Sequence, residues 1–156
     1  CKVYTGIGFD VHKLIKKRKL FLGGIKIPFN LGLEGHSDAD PVLHALIDSL
    51  LGACRLGDIG KLFSDKNKKY KNIRSTILVK KVVKLIKSKN FSINNIDINI
   101  IAQKPKINKY SEELINGATM VCTMTFKNLL ISRRVRDKKG RKRSSAFIKH
   151  LHQQLV

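Results

Sequence analysis

Residues 40–53 have the sequence DPVLHALIDSLLGA, which carries the signals of a helix with one buried face. Asp40 is a good N-cap residue, and Pro41 suits the first helical position, where its missing N–H has no intrahelical partner to lose. The apolar residues that follow recur every three or four positions, as expected for a side that faces a core. These are Leu43, Leu46, Ile47, Leu50 and Cys54.

Before this helix the pattern predicts strands. Residues 2–12 alternate with a period of two, which predicts a strand with one buried face. Residues 21–28 predict two short strands around a turn at Gly23-Gly24, whereas 13–19 and 30–39 are predicted as loops. The face predicted to be buried in the first strand consists of Val3, Thr5, Ile7, Phe9 and Val11.

After the helix, residues 56–67 are predicted as a loop, and a second helix is predicted from an N-cap at Ser75 to about Lys89. Residues 92–101 alternate again and predict a strand that Pro105 ends. A third helix is predicted from Ser111, whose neighbours place acidic charge in its first turn. This order of elements indicates an α+β domain with helices on one face of a sheet.

The chain has 156 residues, 42 % of them hydrophobic, which is sufficient for one compact domain. It contains 32 Lys and Arg against 11 Asp and Glu, a net charge of +21, which favours polyanionic partners. The sequence has no apolar stretch of 18 residues, so it predicts no membrane-spanning helix. With 6 % aromatic residues and no Trp, a binder that stacks single-stranded bases is disfavoured.

The charge divides the chain into two parts, a domain over 1–127 and a basic segment over 128–156. The second part has nine Lys and Arg and one acid, a net of +8, and its run 133–143 is too poor in apolar residues to form a core element. We therefore expect a solvated or disordered arm there.

Three side chains predict a metal site. Asp10 and His12 are two residues apart on the first predicted strand, so both lie on one face, and His44 lies early in the helix. A carboxylate and two imidazoles suit a catalytic zinc site with an open fourth position. Asp48, four residues after His44, is predicted to orient its imidazole. The alternative is that Asp10 and His12 are only solvent-facing polar groups.

Two further places could bind an anion. His36 and Ser37 lie on a loop just before a helix N-terminus, where unpaired N–H groups favour phosphate, although a turn and a cap would also explain the loop. Lys104 and Lys106 flank Pro105 at a predicted strand end. Two lysines alone are more often simple surface charge.

Five ordered segments together resemble the 2-C-methyl-D-erythritol 2,4-cyclodiphosphate synthase family, over about residues 3–115. They are GIGFDVH, LGGIKIP, HSDADPVLHALIDSLLGA, LGDIGKLFSD and IDINIIAQKPK. The resemblance implies a ferredoxin-like α+β fold and a homotrimer with active sites at subunit interfaces. It also implies a metal-dependent, cyclising phosphorus–oxygen lyase of non-mevalonate isoprenoid synthesis. Its substrate is 4-diphosphocytidyl-2-C-methyl-D-erythritol 2-phosphate, whose 2-phosphate displaces CMP to give the cyclic diphosphate.

The resemblance also implies roles for residues. Asp10, His12 and His44 match the family's zinc ligands, and His36 matches a position that stabilises the transition state, beside Ser37 on the phosphate-contacting loop. The methylerythritol part is implied to be held by Asp58, Ile59, Gly60, Phe63, Ser64, Asp65, Lys66 and Asn67. The cytidine diphosphate part is implied to be held by Ala102, Gln103, Lys104, Pro105 and Lys106.

The last third departs from the family, because its usual nucleotide-contacting segments and the carboxylate for a second divalent ion, magnesium, are not found after residue 117. An altered reading frame or appended sequence explains this best. The alternatives are a catalytically inactive, zinc-binding relative and a basic nucleic-acid-binding protein. Because the sequence starts at Cys1 and not at Met, we expect a plastid-type organelle if a transit segment was removed, and otherwise the cytoplasm.

Overall fold

The structure is a computed structural model that describes the backbone of residues 2–123 and the side chains of residues 2–117. Its elements mix helix and strand, which confirms the α+β class at that level. The strands are β1 (Leu14–Lys16), β2 (Leu20–Leu22), β3 (Ile25–Ile27) and β4 (Leu31–Leu33). The helices are α1 (Pro41–Ala53), α2 (Ile59–Leu62), α3 (Ser75–Ser88) and α4 (Ser111–Thr123), with 3-10 turns at Lys68–Tyr70 and Ile107–Tyr110.

The strands within residues 2–123 form two separate antiparallel pairs. In the first, β2 pairs with β3 around Gly23 and Gly24, whose φ angles are 58° and 84°, as the predicted glycine turn requires. In the second, β1 pairs with β4. The prediction of loops over 13–19 and 30–39 is therefore wrong for these two strands. Three-residue strands joined across the hairpin are too short to show a period of two.

The main core lies between α1 and α3. Leucine, isoleucine and valine side chains of both helices are fully buried there, and each such side chain stabilises the fold by about 1.5–3 kcal/mol. The predicted helices over these residues are confirmed, and so is the one that starts at Ser111. One cap differs, because Arg74 is the N-cap residue of α3 and Ser75 is its first helical residue. The predicted loop over 56–67 contains the short helix α2.

The segment 2–12 corrects the sequence prediction. It forms no strand with any other described residue, and its apolar side chains point outward, with Val3 74 %, Ile7 92 % and Phe9 59 % exposed. The opposite face lies against α1 because Gly6 and Gly8 bring the backbone extremely close to it. A Cβ at Gly8 would lie 1.8 Å from the carbonyl oxygen of Ala45.

The predicted strand over 92–101 is also wrong, since the structure has only an isolated bridge at Asn95. Its isoleucines nevertheless act as predicted for an apolar face. Ile93 and Ile96 are buried in the core between α1 and α3, and Ile98 packs against both hydrophobic clusters of the molecule. Among the described residues, the segment therefore contributes packing and no hydrogen-bonded ladder.

Asp40 joins the β2–β3 turn to the start of α1. Its carboxylate accepts hydrogen bonds from the N–H groups of Gly23 (2.9 Å), Gly24 (2.6 Å) and Leu43 (3.2 Å), so it is the N-cap that the sequence predicts. It is fully buried, and this burial raises the pKa of Asp40 to about 6 in spite of those donors.

Two further predictions concern the basic C-terminal segment and membrane-spanning helices. The basic segment 128–156, and with it the boundary after residue 127 and the run 133–143, lies outside the described residues, so nucleic-acid binding by that segment stays a prediction. Among residues 2–123, none of the helices has the length and apolar character needed to cross a membrane.

Candidate metal centre and active site

Asp10, His12 and His44 come together as a compact group. Nε2 of His12 lies 2.8 Å from Oδ2 of Asp10, and Nδ1 of His44 lies 3.1 Å from the same oxygen and 3.3 Å from Nε2 of His12. One donor atom from each residue falls within 4.8 Å of the others. The three side chains are half-buried, so their donor atoms can reach an ion that enters from solvent.

The two glycines of the first segment create this group. Because Gly6 and Gly8 let the extended chain lie directly on α1, the residues on the same face, Asp10 and His12, also point toward the helix. His44 is one turn into α1 on the side that receives them. The prediction that Asp10 and His12 share a face is therefore confirmed, but this face looks inward.

The outer nitrogen of each imidazole is held by a hydrogen bond. Nδ1 of His12 lies 2.6 Å from the carbonyl oxygen of Glu34, which can only accept, so Nδ1 carries the proton and Nε2 is left as a ligand atom. Nε2 of His44 lies 2.9 Å from Oγ of Ser75 and 3.1 Å from Oγ of Ser37, so its Nδ1 faces the other two residues.

The charges within the group support one another. Burial raises the pKa of Asp10, but the hydrogen bonds and positive charge of His12 and His44 outweigh it and hold that pKa well below its usual range. Burial lowers the pKa of His12, and the Asp10 carboxylate more than offsets this, so the pKa of His12 is raised. Asp10 is thus ionised at neutral pH.

This donor set fits a divalent metal ion. Two imidazole nitrogens and one carboxylate oxygen are borderline ligands that suit zinc, and a three-residue set leaves a coordination position open to a substrate. The outer hydrogen bonds on both imidazoles are the arrangement usual for histidines that bind metal.

The loop that carries His36 and Ser37 is fixed beside the group. Arg18 donates to the carbonyl oxygens of Gly35 (2.8 Å) and Ser37 (2.6 Å), and the His36 carbonyl accepts from the N–H of Asn72 (2.8 Å). The hydroxyl of Ser37 reaches the imidazole of His44. Nε2 of His36 is buried and has no hydrogen-bond partner within the part of the chain that the structure describes.

The structure gives Asp48 a contact other than the predicted one. Its Oδ1 accepts from the N–H of Ile59 (2.8 Å) at the start of α2, and burial raises the pKa of Asp48. The predicted role of orienting His44 is instead filled by Ser37 and Ser75, because Asp48 lies a full turn beyond His44 toward α2. Asp48 thereby ties the segment 58–67 to the helix that bears His44.

That segment forms a short structured loop. Asp58 is the N-cap of α2 and accepts from the N–H of Lys61, while Ile59 and Gly60 form its first turn. Phe63 is buried against the ring of Tyr70. Ser64 and Asn67 accept from the backbone of Lys66 and Lys69, and the side chains of 64–67 are exposed.

The other predicted segment, 102–106, contacts a cluster that also includes Ala39 and Val42, from the start of the helix that bears His44. Ala102 packs against the smaller hydrophobic cluster with Leu20 and Leu22 from the β2–β3 pair. Gln103, Lys104 and Lys106 are exposed and Pro105 is half-buried, just before the 3-10 turn that leads into α4. Thus the structure joins Asp10, His12, His44 and Ser37 directly, and gives residues 102–106 contacts of their own.

Sequence reasoning missed three residues that support the site. These are Ser75, Asp38 and Arg18, which hold His44 and the 35–37 loop. Their sequence signal was weak, since Ser75 and Asp38 look like caps and Arg18 is one of several cations in a basic run. Each lies 17 or more residues from the group that it contacts.

Comparison with known proteins adds to this geometry. The family model described as the YgbB family matches residues 3–153. The chain belongs to the YgbB family. This match extends beyond the five segments, the last of which ends at Lys106.

Curated relatives of the chain include a cyclodiphosphate synthase and a bifunctional enzyme. It is 61 % identical over 110 residues to 2-C-methyl-D-erythritol 2,4-cyclodiphosphate synthase of Clostridium acetobutylicum, which covers 70 % of this chain and 71 % of that protein. It is 54 % identical over 135 residues to the bifunctional enzyme IspD/IspF of Pelagibacter ubique, covering 86 % of this chain. The chain spans only 36 % of that longer protein.

Solved structures agree. The bifunctional IspDF from Campylobacter jejuni matches with a TM-score of 0.73 and 36 % identity, over 78 % of this chain and 33 % of that one. A 2C-methyl-D-erythritol-2,4-cyclodiphosphate synthase described as a bound form with CDP matches with a TM-score of 0.71 and 31 % identity, over 76 % and 79 %. IspF of Plasmodium falciparum, described as a CDP complex, matches at 0.63 and 37 % identity, over 77 % and 73 %.

Proposed function

We propose that the chain is a 2-C-methyl-D-erythritol 2,4-cyclodiphosphate synthase of isoprenoid precursor synthesis. It converts 4-diphosphocytidyl-2-C-methyl-D-erythritol 2-phosphate to the cyclic diphosphate and CMP. The observation that carries this proposal is the convergence of Asp10, His12 and His44 beside the His36–Ser37 loop, in a chain that belongs to the YgbB family.

The reaction joins two ends of one substrate. An oxygen of the 2-phosphate attacks the β-phosphorus, the bond from that phosphorus to the bridging oxygen breaks, and CMP leaves with the bridging oxygen. Because the nucleophile is already an anion, the protein needs to supply mainly positioning and charge neutralisation. Ser37 and Ser75 contact the imidazole of His44. In this proposal they position that ligand and do not act as nucleophiles.

Asp10, His12 and His44 would hold a zinc ion, which when bound acts as a Lewis acid on the diphosphate. His36 would then donate from its unpartnered, buried Nε2 to a phosphate oxygen and stabilise the charge that develops in the transition state. Ser37 would contact the same phosphate, since Arg18 fixes its loop in place before the substrate arrives.

We further propose where the rest of the substrate binds. The segment with Asp58, Ile59, Gly60 and Phe63–Asn67 holds the methylerythritol part, and Ala102–Lys106 holds the cytidine diphosphate part. The two related structures described as CDP-bound support a nucleotide of this type. In this proposal the two segments that hold one substrate come from neighbouring subunits.

The remaining parts of the proposal concern assembly and setting. We infer a homotrimer with active sites at its interfaces, built on a ferredoxin-like sheet that the subunits complete together. A second divalent ion, magnesium, would accompany the diphosphate. The compartment is a plastid-type organelle if a transit segment is removed, and otherwise the cytoplasm.

The proposal is tested by measuring CMP release from the diphosphocytidyl substrate with zinc and magnesium present. His12→Ala is expected to remove the bound zinc and abolish release, because it deletes one of three ligands. The matched control is Lys13→Ala, which changes the exposed neighbour and leaves the ligands intact. Folded, zinc-loaded wild-type protein that releases no CMP would contradict the proposal and favour the inactive zinc-binding alternative.

A further inference from the structure

A chain of polar contacts runs outward from His44 to the surface. Nε2 of His44 lies 2.9 Å from Oγ of Ser75, and the Ser75 hydroxyl donates to Oδ1 of Asp38 at 2.5 Å. Oδ2 of Asp38 forms an ion pair with Nε of Arg74 at 3.0 Å. Ser75 is fully buried and Asp38 is buried, so bulk water does not compete for these bonds.

The proton count along this chain favours one tautomer of His44. An ionised carboxylate can only accept hydrogen bonds, so the single hydroxyl proton of Ser75 points to Asp38. The Ser75 oxygen can then only accept from His44. Ser75 therefore favours the imidazole proton on Nε2. This tautomer competes with a hydrogen bond from Nδ1 to Asp10, and it leaves the Nδ1 lone pair for an ion held together with Asp10 and His12.

We propose that Ser75 and Asp38 are positioning residues for metal binding, because they lock His44 in the tautomer whose Nδ1 can bind the ion. This inference rests on the proposed function, which requires the ion. Arg74 is the outer end of this polar chain. Its guanidinium compensates the buried charge of Asp38, and it donates to the Gly24 carbonyl and lies over the ring of Phe21.

Ser37 does not replace Ser75 in this role. Its Oγ also lies near Nε2 of His44, at 3.1 Å, and accepts from the N–H of Ala39 at the same distance. No carboxylate fixes the direction of its hydroxyl proton among the contacts described, so Ser37 can accept from His44 or donate to it. Of the two hydroxyls near Nε2, only that of Ser75, whose proton is fixed by Asp38, requires the imidazole proton to lie on Nε2.

A structural role must be separated from this one. Asp38 also accepts from the backbone N–H of Ser75, at 3.1 Å from each carboxylate oxygen, and so caps α3, where the N-cap residue Arg74 makes no side-chain cap bond. A variant that merely loosened α3 would lower the melting temperature. It would not selectively change the ability of Nδ1 to bind an ion.

The experiment measures zinc affinity by competition with a chromophoric chelator, on the full chain, below the melting temperature of every variant. Ser75→Ala is expected to bind zinc about 10- to 100-fold more weakly than wild type, as is typical for loss of a group that supports a ligand. Ser75→Thr retains the hydroxyl and is expected to stay within about threefold. In Asp38→Asn the amide group can donate to Ser75, which would reverse the direction of the hydrogen bonds from Ser75 to His44. We therefore expect a loss of zinc affinity at least as large as that of Ser75→Ala.

Val82→Ala is the matched control, because it removes buried volume from the same helix without touching the polar chain. It is expected to lower the melting temperature and leave zinc affinity unchanged. In zinc-loaded wild type, NMR should show a His44 Nε2–H proton protected from exchange with water, and Ser75→Ala should lose that protection. Equal zinc affinity in wild type and Ser75→Ala, or equal losses in Ser75→Ala and Val82→Ala, would overturn the inference.

These results are distinguishable from failure of the proposed function. Wild type that releases CMP, with Ser75→Ala binding zinc equally well, refutes only the positioning role. Weaker zinc binding by Ser75→Ala in a protein that releases no CMP upholds the positioning role and refutes the activity. A wild type that binds no zinc refutes both.

Discussion

Substitution of Gly8 by alanine tests how the metal site is built. In the structure a Cβ on Gly8 would lie 1.8 Å from the carbonyl oxygen of Ala45, whereas ordinary contact begins at 3.4 Å. The segment must therefore move away from α1 by about 1.6 Å. The neighbour is helix backbone, which cannot yield as a flexible side chain would.

That displacement reaches the ligands. Asp10 follows Gly8 by two residues and lies on the same face, so it moves away from His44 with the backbone. Ligand atoms must lie within about 0.2 Å of their preferred distance to bind a metal well. We expect zinc affinity, measured by chelator competition, to fall at least about 100-fold. Displacing a ligand should weaken zinc binding more than removing a residue that only supports a ligand.

Gly52→Ala is the matched control. Gly52 lies within α1, and a Cβ there meets nothing within 4 Å. Alanine should raise helix stability by about 0.5–1 kcal/mol and leave zinc affinity unchanged. If Gly8→Ala bound zinc like wild type, the segment 2–12 would not rest on α1 and the account of the site would be refuted.

Three further measurements concern the stability of the fold and the pH dependence of zinc binding. Asp40→Ala should lower the free energy of unfolding, measured by urea titration, by about 2–4 kcal/mol. The reason is that it removes a helix cap and leaves the buried N–H groups of Gly23 and Gly24 without an acceptor. A loss below about 0.5 kcal/mol, which is the scale of a neutral surface substitution, would contradict this. Zinc affinity should fall as the pH drops through the raised pKa of His12, because a proton then competes with zinc for Nε2. The fall should begin above about pH 6.5, the ordinary pKa of histidine, and reach about tenfold per pH unit for one competing proton. Without metal, protonation of His12 stabilises the fold. The stability that protonated His12 contributes is complete below about pH 6.5 and is lost as the pH rises through its raised pKa, whereas the contribution of Asp10 is lost only in strong acid, as the pH falls through its lowered pKa. Thermal unfolding of the metal-free protein at a series of pH values tests this, and a melting temperature that does not change with pH would disprove it.

The elements that the sequence predicts correctly are those with local signals. The cap at Asp40 with Pro41, the apolar spacing of α1 and α3, and the turn at Gly23-Gly24 each depend on neighbours within a few residues. Propensity and capping decide these features before any tertiary contact forms. The strands β1 and β4 form by pairing with each other across the β2–β3 hairpin, so no local sequence pattern predicts them.

The first segment shows what alternation leaves undecided. A period of two separates two faces and does not say which one is inside. Hydrophobicity favours the face with Ile7 and Phe9, yet the structure turns the glycine face inward, because only residues without a Cβ allow the chain to lie on α1. The ligands sit on the inner face for this reason. The apolar face is exposed in the single chain, as expected of a surface that a trimer would cover.

The metal ligands and their supports differ in how far sequence can identify them. Asp10 and His12 are tied by spacing, and His44 joins them through a helix that its own signals predict. The link from His44 to Ser75 spans 31 residues and the link from Ser75 to Asp38 spans 37, so nothing in either local sequence specifies them. Residues that spacing and helix signals identify therefore supply the atoms that would bind the ion, while the tautomer that makes one of them a ligand depends on how α3 packs against the loop before α1.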